Sequence, residues 1–212
     1  MKPSSGQVLD PAETAFFADL QALLSRKRLS LSGSVSRICG VDAAYRGDRV
    51  VAVACLLDRG KLKETSFYFG TCSIKYQSGL FYLREGPFAV EAVRRLRVRP
   101  ELVCFDAHGA AHPRFAGLAT MCGMILGIPS IGCAKSLLVG SVEAGGVRFD
   151  RIVQQGKTLG FVARSTGGTR YWSPGYGVSL RWLEPFLRGY APICLKALSE
   201  ADRVARTQIR TG

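Results

Sequence analysis

The sequence is poor in the residues and motifs that would assign it to several common protein classes. Of its 212 residues only two are histidines, His108 and His112, and none of its seven cysteines forms a Cys-x-x-Cys pair. Neither a zinc ribbon nor a disulfide framework is therefore indicated, and cysteines within apolar runs are typical of buried free thiols in a reducing compartment. There is also no Gly-x-x-x-x-Gly-Lys loop and no Gly-x-Ser-x-Gly turn. A P-loop is thus excluded, and a Ser-His-Asp triad would lack its nucleophile elbow.

Acidic residues are scarce relative to basic ones. The chain has 16 Asp and Glu against 29 Lys and Arg, which gives a formal charge of +13. Such an excess favours a polyanionic partner, most often nucleic acid, because basic side chains neutralise phosphates. A basic surface that only keeps the protein in solution is the alternative reading of the same numbers.

The N-terminal residues lack a basic region followed by an apolar run, so we expect no signal peptide and a cytoplasmic location. Residues 115–134 contain no charge and are long enough to be mistaken for a membrane span. Four glycines and a proline among them, including Gly127 and Pro129, argue against a span. We therefore expect no membrane association.

Hydrophobic periodicity divides the N-terminal half into a helix, a three-strand antiparallel meander and a second helix. The predicted ranges are 11–28 for the helix, 38–45, 50–58 and 62–69 for the strands, and 87–99 for the second helix. Pro87 predicts the first position of that helix, because proline suits a helix start, and places Glu85 on the loop just before it.

The second half begins with a strand, loop, helix and strand over residues 102–105, 115–126 and 130–134. Continuous apolar strands of this kind are typical of a parallel sheet that is covered on both faces. A hairpin over 147–153 and 158–164 follows, and then helices over 178–188 and 196–212. Nothing in the chain demands a domain boundary, so we expect residues 1–212 to form one domain.

Two aspartates stand on strands that this layout makes neighbours. Asp42 lies in the first strand and Asp106 directly follows the strand 102–105. Two carboxylates held close together repel each other unless a cation lies between them, and Mg²⁺ prefers oxygen ligands. Glu85 could supply a third oxygen, and Lys135, just past the strand 130–134, could hold a phosphate or the attacking water. The alternative explanations without a function are that each aspartate is a capping or turn residue and that Lys135 is an ordinary solvated lysine.

The layout resembles the ribonuclease H-like nuclease fold. The fold class expected is therefore α/β, with three antiparallel strands followed by parallel strands in one mixed sheet that is flanked by helices.

Several motifs are similar to those of the endonuclease V family, the deoxyinosine-directed repair nucleases. The motifs are Gly40-Val41-Asp42, residues 79–85, His112-Pro113-Arg114, Gly127-Ile128-Pro129, residues 131–135 and Ser173-Pro174-Gly175. The resemblance implies Mg²⁺ or Mn²⁺ and hydrolysis of a phosphodiester on the 3′ side of a deaminated or damaged base, one nucleotide beyond it. It makes Asp42, Glu85 and Asp106 the metal-site acids and Lys135 a contact near the scissile bond.

The resemblance also implies a nucleic-acid surface and a pocket for a base turned out of its stack. The residues it assigns to nucleic-acid binding are Tyr76, Gly79, Gly109, His112, Arg114 and Gly117. The expected partner is DNA, or alternatively RNA, that contains inosine, and the protein is expected to act as a monomer in DNA repair.

Three positions depart from the family pattern. The strand-separating Pro-Tyr-Ile-Pro wedge reads Lys75-Tyr76-Gln77-Ser78, and Ala107 stands in place of a glycine. Tyr176 replaces a histidine that lies near the metal in the family. A relative that binds nucleic acid with weak or no catalysis is therefore the alternative to an active nuclease.

Overall fold

The computed structural model describes residues 7–24, 31, 33–145 and 148–211. The helices are α1 (Pro11–Leu24), α2 (Phe81–Arg94), α3 (Leu118–Leu126) and α4 (Leu180–Thr211). The strands are β1 (Arg37–Arg46), β2 (Arg49–Asp58), β3 (Lys61–Thr71), β4 (Leu102–Phe105), β5 (Ser130–Ala134), β6 (Ser141–Glu143), β7 (Asp150–Gln154), β8 (Lys157–Ser165) and β9 (Gly168–Pro174).

All the strands join one sheet in the order β3-β2-β1-β4-β5-β9-β8-β7-β6. The first three pair antiparallel, and β1, β4 and β5 pair parallel. This confirms the mixed sheet expected from the sequence. The predicted hairpin of β7 and β8 is also confirmed. Strand β9 pairs antiparallel with β8 on one side and with β5 on the other, and so joins the hairpin to the rest of the sheet.

The two faces of the sheet are covered by different helices, because strand side chains alternate between faces. Val41, Val103 and Phe105 pack in a core with α2 and α3. Residues between them, such as Leu102 and Cys104, pack in a second core with α4. Asp42 and Asp106 continue this alternation and so lie on the α4 face, Asp42 in the middle of β1 and Asp106 just past the carboxyl end of β4.

Helix α4 crosses the sheet very close to β1. A Cβ added to Gly40 would lie 2.3 Å from the backbone carbon of Ala197. Only glycine at this position allows the helix to approach so closely. The close approach holds the second half of α4 over β1 and β2, where Ala201, Ala205 and Ile209 are buried against Val51, Val53 and Cys55.

The structure corrects the prediction for the segment around Glu85. Helix α2 starts at Phe81 and ends at Arg94, so Glu85 lies in its second turn rather than on a preceding loop, and Pro87 lies inside the helix. Pro87 is exposed, so water can replace the hydrogen bond that the carbonyl of Leu83 lacks.

The C-terminal region was also predicted wrongly as two helices. The structure has one helix, α4, of 32 residues that runs through Pro185 and Pro192. Both prolines are exposed, where a missing backbone bond costs least. Two smaller corrections are that α3 starts at Leu118 rather than at Phe115, and that β6 lies in a predicted loop.

Some predictions fall partly outside the described residues, namely those for positions 1–6, 25–30, 32, 146–147 and 212. Within the described ranges, all seven cysteines are buried and free, as expected. A search of the same ranges finds no helix with the length and apolar character needed to cross a bilayer.

Candidate active site

Asp42 and Asp106 stand side by side where the parallel pairing of β1 with β4 ends. Val41 of β1 pairs with Phe105 of β4, and the backbone N–H of Asp106 donates to the carbonyl of Val41 at 3.2 Å. The next residue along each strand direction is therefore one of the aspartates: Asp42 in the middle of β1, and Asp106 just past β4. Both lie on the α4 face. Burial and, after it, the negative charge of Asp106 raise the pKa of Asp42 to about 7.

Lys135 compensates part of this negative charge. It directly follows β5, and its Nζ donates a hydrogen bond to Oδ2 of Asp106 and forms an ion pair with it. The ammonium is itself exposed and reaches inward from the rim of the site. Its pKa is raised, because its hydrogen bond to Asp106 and the charges of Asp106 and Asp42 outweigh the opposing effect of burial.

Glu85 reaches the same site from the opposite helical layer. It is buried on α2, and its Oε2 accepts a hydrogen bond from the Tyr45 hydroxyl at 3.4 Å. Burial and the charges of Asp42 and Asp106 raise the pKa of Glu85 to about 8. The three acids singled out in the sequence are therefore brought together.

A fourth acid, Asp202, was missed by the sequence reasoning. It lies on α4, and its charge adds to the rise in the pKa of Asp42. Its Oδ1 accepts a hydrogen bond at 2.7 Å from Nε of Arg206 one turn later. In the sequence this spacing is indistinguishable from an ordinary solvated ion pair on a helix. Only the packing of α4 over β1 reveals that Asp202 faces the site.

The donor set fits a hard divalent cation. All the convergent groups are carboxylates, and Mg²⁺ and Mn²⁺ are bound mainly by oxygen ligands. Burial and the charges of neighbouring acids raise the pKa values of Asp42 and Glu85, and a bound cation would oppose both effects by favouring the charged carboxylates. Among the described residues, no three His, Cys, Asp or Glu side chains already form a complete ligand cage. The carboxylates are close enough to interact but would have to converge further on an ion.

A cavity of about 350 Å³ opens next to Asp106 and Lys135, on the side of the loop before α2. We call it the Gly79 cavity. Its walls include Tyr76, Gly79, Ala107, His112 and Gly117. Four of the residues predicted to bind nucleic acid therefore share one concave surface that borders the acids.

The wall of the Gly79 cavity is held by a hydrogen-bond network centred on Gln21 of α1. Gln21 is fully buried, lines the cavity and donates to the carbonyl of Ala116. Its Oε1 accepts from Nε of Arg114 at 2.7 Å, and Nη2 of Arg114 donates to the carbonyl of Gly79 at 2.5 Å. Arg114, predicted to contact nucleic acid, thus connects α1 to two loops of the cavity and is not among the residues that line it.

His112 lies in the same wall and is buried. Burial and the nearby charge of Arg114 lower the pKa of His112 to about 4, so its imidazole is neutral at pH 7. Its Nδ1 accepts the backbone N–H of Arg114 at 3.2 Å. The proton of the neutral ring therefore lies on Nε2, which makes that atom a donor.

Gly109 and Gly117 have backbone roles. A Cβ on Gly109 would lie 2.2 Å from the carbonyl oxygen of Pro174, and one on Gly117 would lie 2.3 Å from that of His108. Both positions therefore require glycine for the loop after β4 to fold tightly. Gly117 lines the Gly79 cavity, whereas Gly109 does not.

Comparison with known proteins assigns the chain to a family. The family model for endonuclease V matches residues 19–183. A curated endonuclease V from Geotalea uraniireducens is 41% identical over 71% of this chain and 67% of its own length. The crystal structure of endonuclease V from Streptomyces avermitilis superposes with a TM-score of 0.80 at 26% identity, over 95% of this chain and 93% of that one.

The chain belongs to the endonuclease V family. It is therefore an endonuclease with the ribonuclease H-like fold expected from its strand order. At 19% identity, which shows the fold alone, endonuclease V from Ciona intestinalis superposes with a TM-score of 0.79 over 94% of this chain and 98% of that one. That protein was solved in complex with a 24mer DNA containing an inosine followed by a ribo-adenosine. Asp202 lies beyond the residues matched by the family model.

The altered wedge of this family member retains an accessible aromatic ring. Tyr76 is 63% exposed at the mouth of the Gly79 cavity, and its ring centroid lies 5.9 Å from that of Phe81. The side-chain amide of Gln77, which replaces an isoleucine of the family pattern, donates to Thr14 of α1 at 3.1 Å. A hydrogen bond to α1 therefore helps to hold a loop that lacks the family's prolines.

Tyr176 is held at the start of β5. Its carbonyl accepts a hydrogen bond from the backbone N–H of Ser130, the first residue of β5, and its own N–H donates to the hydroxyl of Ser130. Its Cβ lies beside Gly123 of α3. Asp106 is level with Cys133, because Phe105 pairs with Gly132. Three steps of about 3.3 Å, or roughly 10 Å along β5, therefore separate Ser130 from the level of Asp106.

Proposed function

We propose that this protein is a metal-dependent endonuclease that hydrolyses a phosphodiester on the 3′ side of inosine or another deaminated base, in the repair of DNA. The observation that carries the proposal is that Asp42 and Asp106 lie side by side on adjacent strands, where the pairing of β1 with β4 ends, with Lys135 hydrogen-bonded to Asp106. Acids and a cation so arranged, beside a cavity of base-sized volume, suit the cleavage of a strand whose base is held nearby.

Mg²⁺ or Mn²⁺ is the proposed cofactor, held by Asp42 and Asp106 with Glu85 and Asp202 as further oxygen donors. When bound, such an ion would activate water and offset the negative charge that builds up on the phosphate. Proton loss from Asp42 and Glu85, whose pKa values are about 7 and about 8, would accompany metal binding. Affinity for the metal would therefore rise with pH up to about 8.

Lys135 is proposed to contact the scissile phosphate. Its ammonium is exposed while it bonds to Asp106, so it can present its remaining protons to a phosphate oxygen at the rim of the site. A fixed positive charge at that position stabilises the additional negative charge of the transition state.

The Gly79 cavity is proposed to bind the deaminated base outside its stack. Tyr76 offers an exposed ring on which a base can stack, and Gly79 and Gly117 leave room for a ring beside the neutral imidazole of His112. Inosine-containing DNA is the proposed substrate, with RNA as an alternative, since the complex of the Ciona relative contains both an inosine and a ribonucleotide. Arg114 and Gly109 are proposed to support this wall through their backbone and bridging contacts.

We take residues 1–212 to act as one domain and as a monomer in the cytoplasm. All the proposed catalytic and binding groups come from one chain, and α4 returns from the last strand to cover β1, which carries Asp42. No second copy is needed to complete the site.

The proposal is tested by incubating pure protein with Mg²⁺ or Mn²⁺ and end-labelled strands that carry inosine, uracil, an abasic site or a mismatch, as DNA and as RNA. We expect a single metal-dependent cut one nucleotide beyond inosine, and little cutting of unmodified strands. Binding of the inosine strand without any cut would instead support a catalytically inactive relative.

A further inference from the structure

A second cavity lies on the opposite side of Asp106 and Lys135 from the Gly79 cavity. It has a volume of about 300 Å³, and both residues line it as well. Its other walls come from the tip of the β8–β9 hairpin and from α4, and include Arg170, Ser199 and Asp202. We call it the Arg170 cavity. The two cavities therefore meet at the proposed site of cleavage, one on each side.

The charges of the Arg170 cavity are paired except for that of Arg170. Asp106 is bonded to Lys135, and Asp202 is bonded to Arg206. Other arginines of the hairpin and of α4, such as Arg164 and Arg203, have carboxylate partners as well. Arg170 is half-buried, and its guanidinium donates only to the carbonyl of its neighbour Thr169 among the described residues.

The orientation of Arg170 follows from the strand that carries it. Trp172, two residues later in β9, packs in the core under α4, so Arg170 points to the same face. The floor of the cavity is apolar at Leu195 and Leu198, and the hydroxyl of Ser199 lies on the rim. An apolar floor, a hydroxyl and an unpaired cation together suit one sugar-phosphate unit of a nucleic-acid strand.

We propose that the Arg170 cavity binds the nucleotide that follows the scissile phosphodiester, with Arg170 paired to the phosphate on the 3′ side of that nucleotide. This inference rests on the proposed function, because it takes the base to lie in the Gly79 cavity and the scissile phosphate to lie at Asp106 and Lys135. A strand that enters from the Gly79 cavity and crosses those residues continues into the Arg170 cavity.

The test measures binding, by fluorescence anisotropy in EDTA, of inosine strands that end at different positions. One strand ends at the nucleotide after inosine and carries a 3′-phosphate, so it contains the scissile phosphate without the following nucleoside. A second strand extends two nucleotides further and supplies the unit proposed for the Arg170 cavity. We expect the wild-type protein to bind the longer strand about tenfold more tightly, with a steeper salt dependence from the added phosphate contact.

Arg170→Met should abolish the gain in affinity for the longer strand and leave the affinity for the shorter strand unchanged. The matched control is Arg151→Met, which removes one exposed arginine from β7, outside the cavity lining. Ser199→Asp is a second variant at an exposed helix position, and it should also abolish the gain by repelling the phosphate. Its control is Thr207→Asp, at an exposed position further along α4.

The inference is overturned if the wild-type protein shows no gain, if both Arg170→Met and Ser199→Asp retain it, or if the control variants lose it equally. Its failure is distinct from failure of the proposed function, which is judged by whether the wild-type protein cuts an inosine strand at all. If the wild-type protein binds the longer strand more tightly but never cuts, the Arg170 cavity would still be a nucleic-acid subsite, and only the proposed function would fail.

Discussion

Nε of Arg114 donates a hydrogen bond to Oε1 of the fully buried Gln21 at 2.7 Å, and this bond ties α1 to the wall of the Gly79 cavity. Gln21→Met keeps the length of the side chain but removes both of its hydrogen bonds. Each buried group left without a partner costs roughly 1–3 kcal/mol. We expect a lower melting temperature and about tenfold weaker binding of an inosine strand, with little change for an unmodified strand.

The control for Gln21→Met is Gln208→Met, because Gln208 is half-buried on α4 and lies outside the cavity. If Gln21 and Arg114 act as one unit, adding Arg114→Met to Gln21→Met should weaken inosine binding little further. Additive losses in the double variant would contradict a shared role.

The stability of the metal-free protein should fall as the pH rises from about 4.5 to about 8. The pKa of Glu85 is raised from 4.5 to about 8, so within this window the folded protein retains a proton that the unfolded chain has lost. A folded state that binds more protons loses stability with rising pH, and the loss levels off above the folded pKa. The raised pKa of Asp42, about 7, acts in the same direction.

Glu85→Gln should remove part of the loss of stability that accompanies rising pH. We expect the variant to be more stable than the wild-type protein at pH 8.5 in EDTA by roughly 1–3 kcal/mol, and equal to it near pH 4. Chemical denaturation across this pH range measures the difference. Glu91→Gln, at a half-exposed position on the same helix, is the control and should leave the pH profile unchanged.

Lys135→Met separates the phosphate contact from metal binding. Removing the ammonium frees the carboxylate of Asp106, so affinity for Mn²⁺ in a calorimetric titration should stay equal or increase. Cleavage should nevertheless fall by about 10²-fold, because the positive charge at the phosphate is lost. Lys157→Met, at the exposed first residue of β8, is the control. A variant that cuts at nearly the wild-type rate would exclude the proposed role of Lys135.

Tyr176→His restores the residue of the family pattern at the start of β5. Since Tyr176 is bonded to Ser130, roughly 10 Å along β5 from the level of Asp106, we expect the cleavage rate to change by less than about twofold. A large gain in rate, measured under single-turnover conditions, would mean that this residue acts on the site after all.

The sheet and two of its acids could be predicted from the sequence because each acid directly follows a run of buried residues. Asp106 follows the four buried residues of β4, and Asp42 follows the four buried residues 38–41 of β1. Parallel pairing of such strands places their carboxyl ends together whatever the details of the loops. The site therefore followed from local pattern and topology.

Other features depended on tertiary packing that the sequence does not encode locally. Pro87 and Pro192 look like helix boundaries, yet each is tolerated inside a helix because it faces solvent. Asp202 was missed for a related reason, since an acid four residues before Arg206 is ordinary on any charged helix. Asp202 faces the site because Gly40 allows α4 to approach β1 closely.

The most direct test of the central claim is metal-dependent cleavage of an end-labelled inosine strand by Asp42→Asn and Asp106→Asn, with binding of the intact strand measured in parallel. Both variants keep the size of the side chain and remove a charge from the shared site. The account predicts a loss of at least about 10³-fold in cleavage rate for each, with strand binding retained. Cleavage at nearly the wild-type rate by either variant would contradict it.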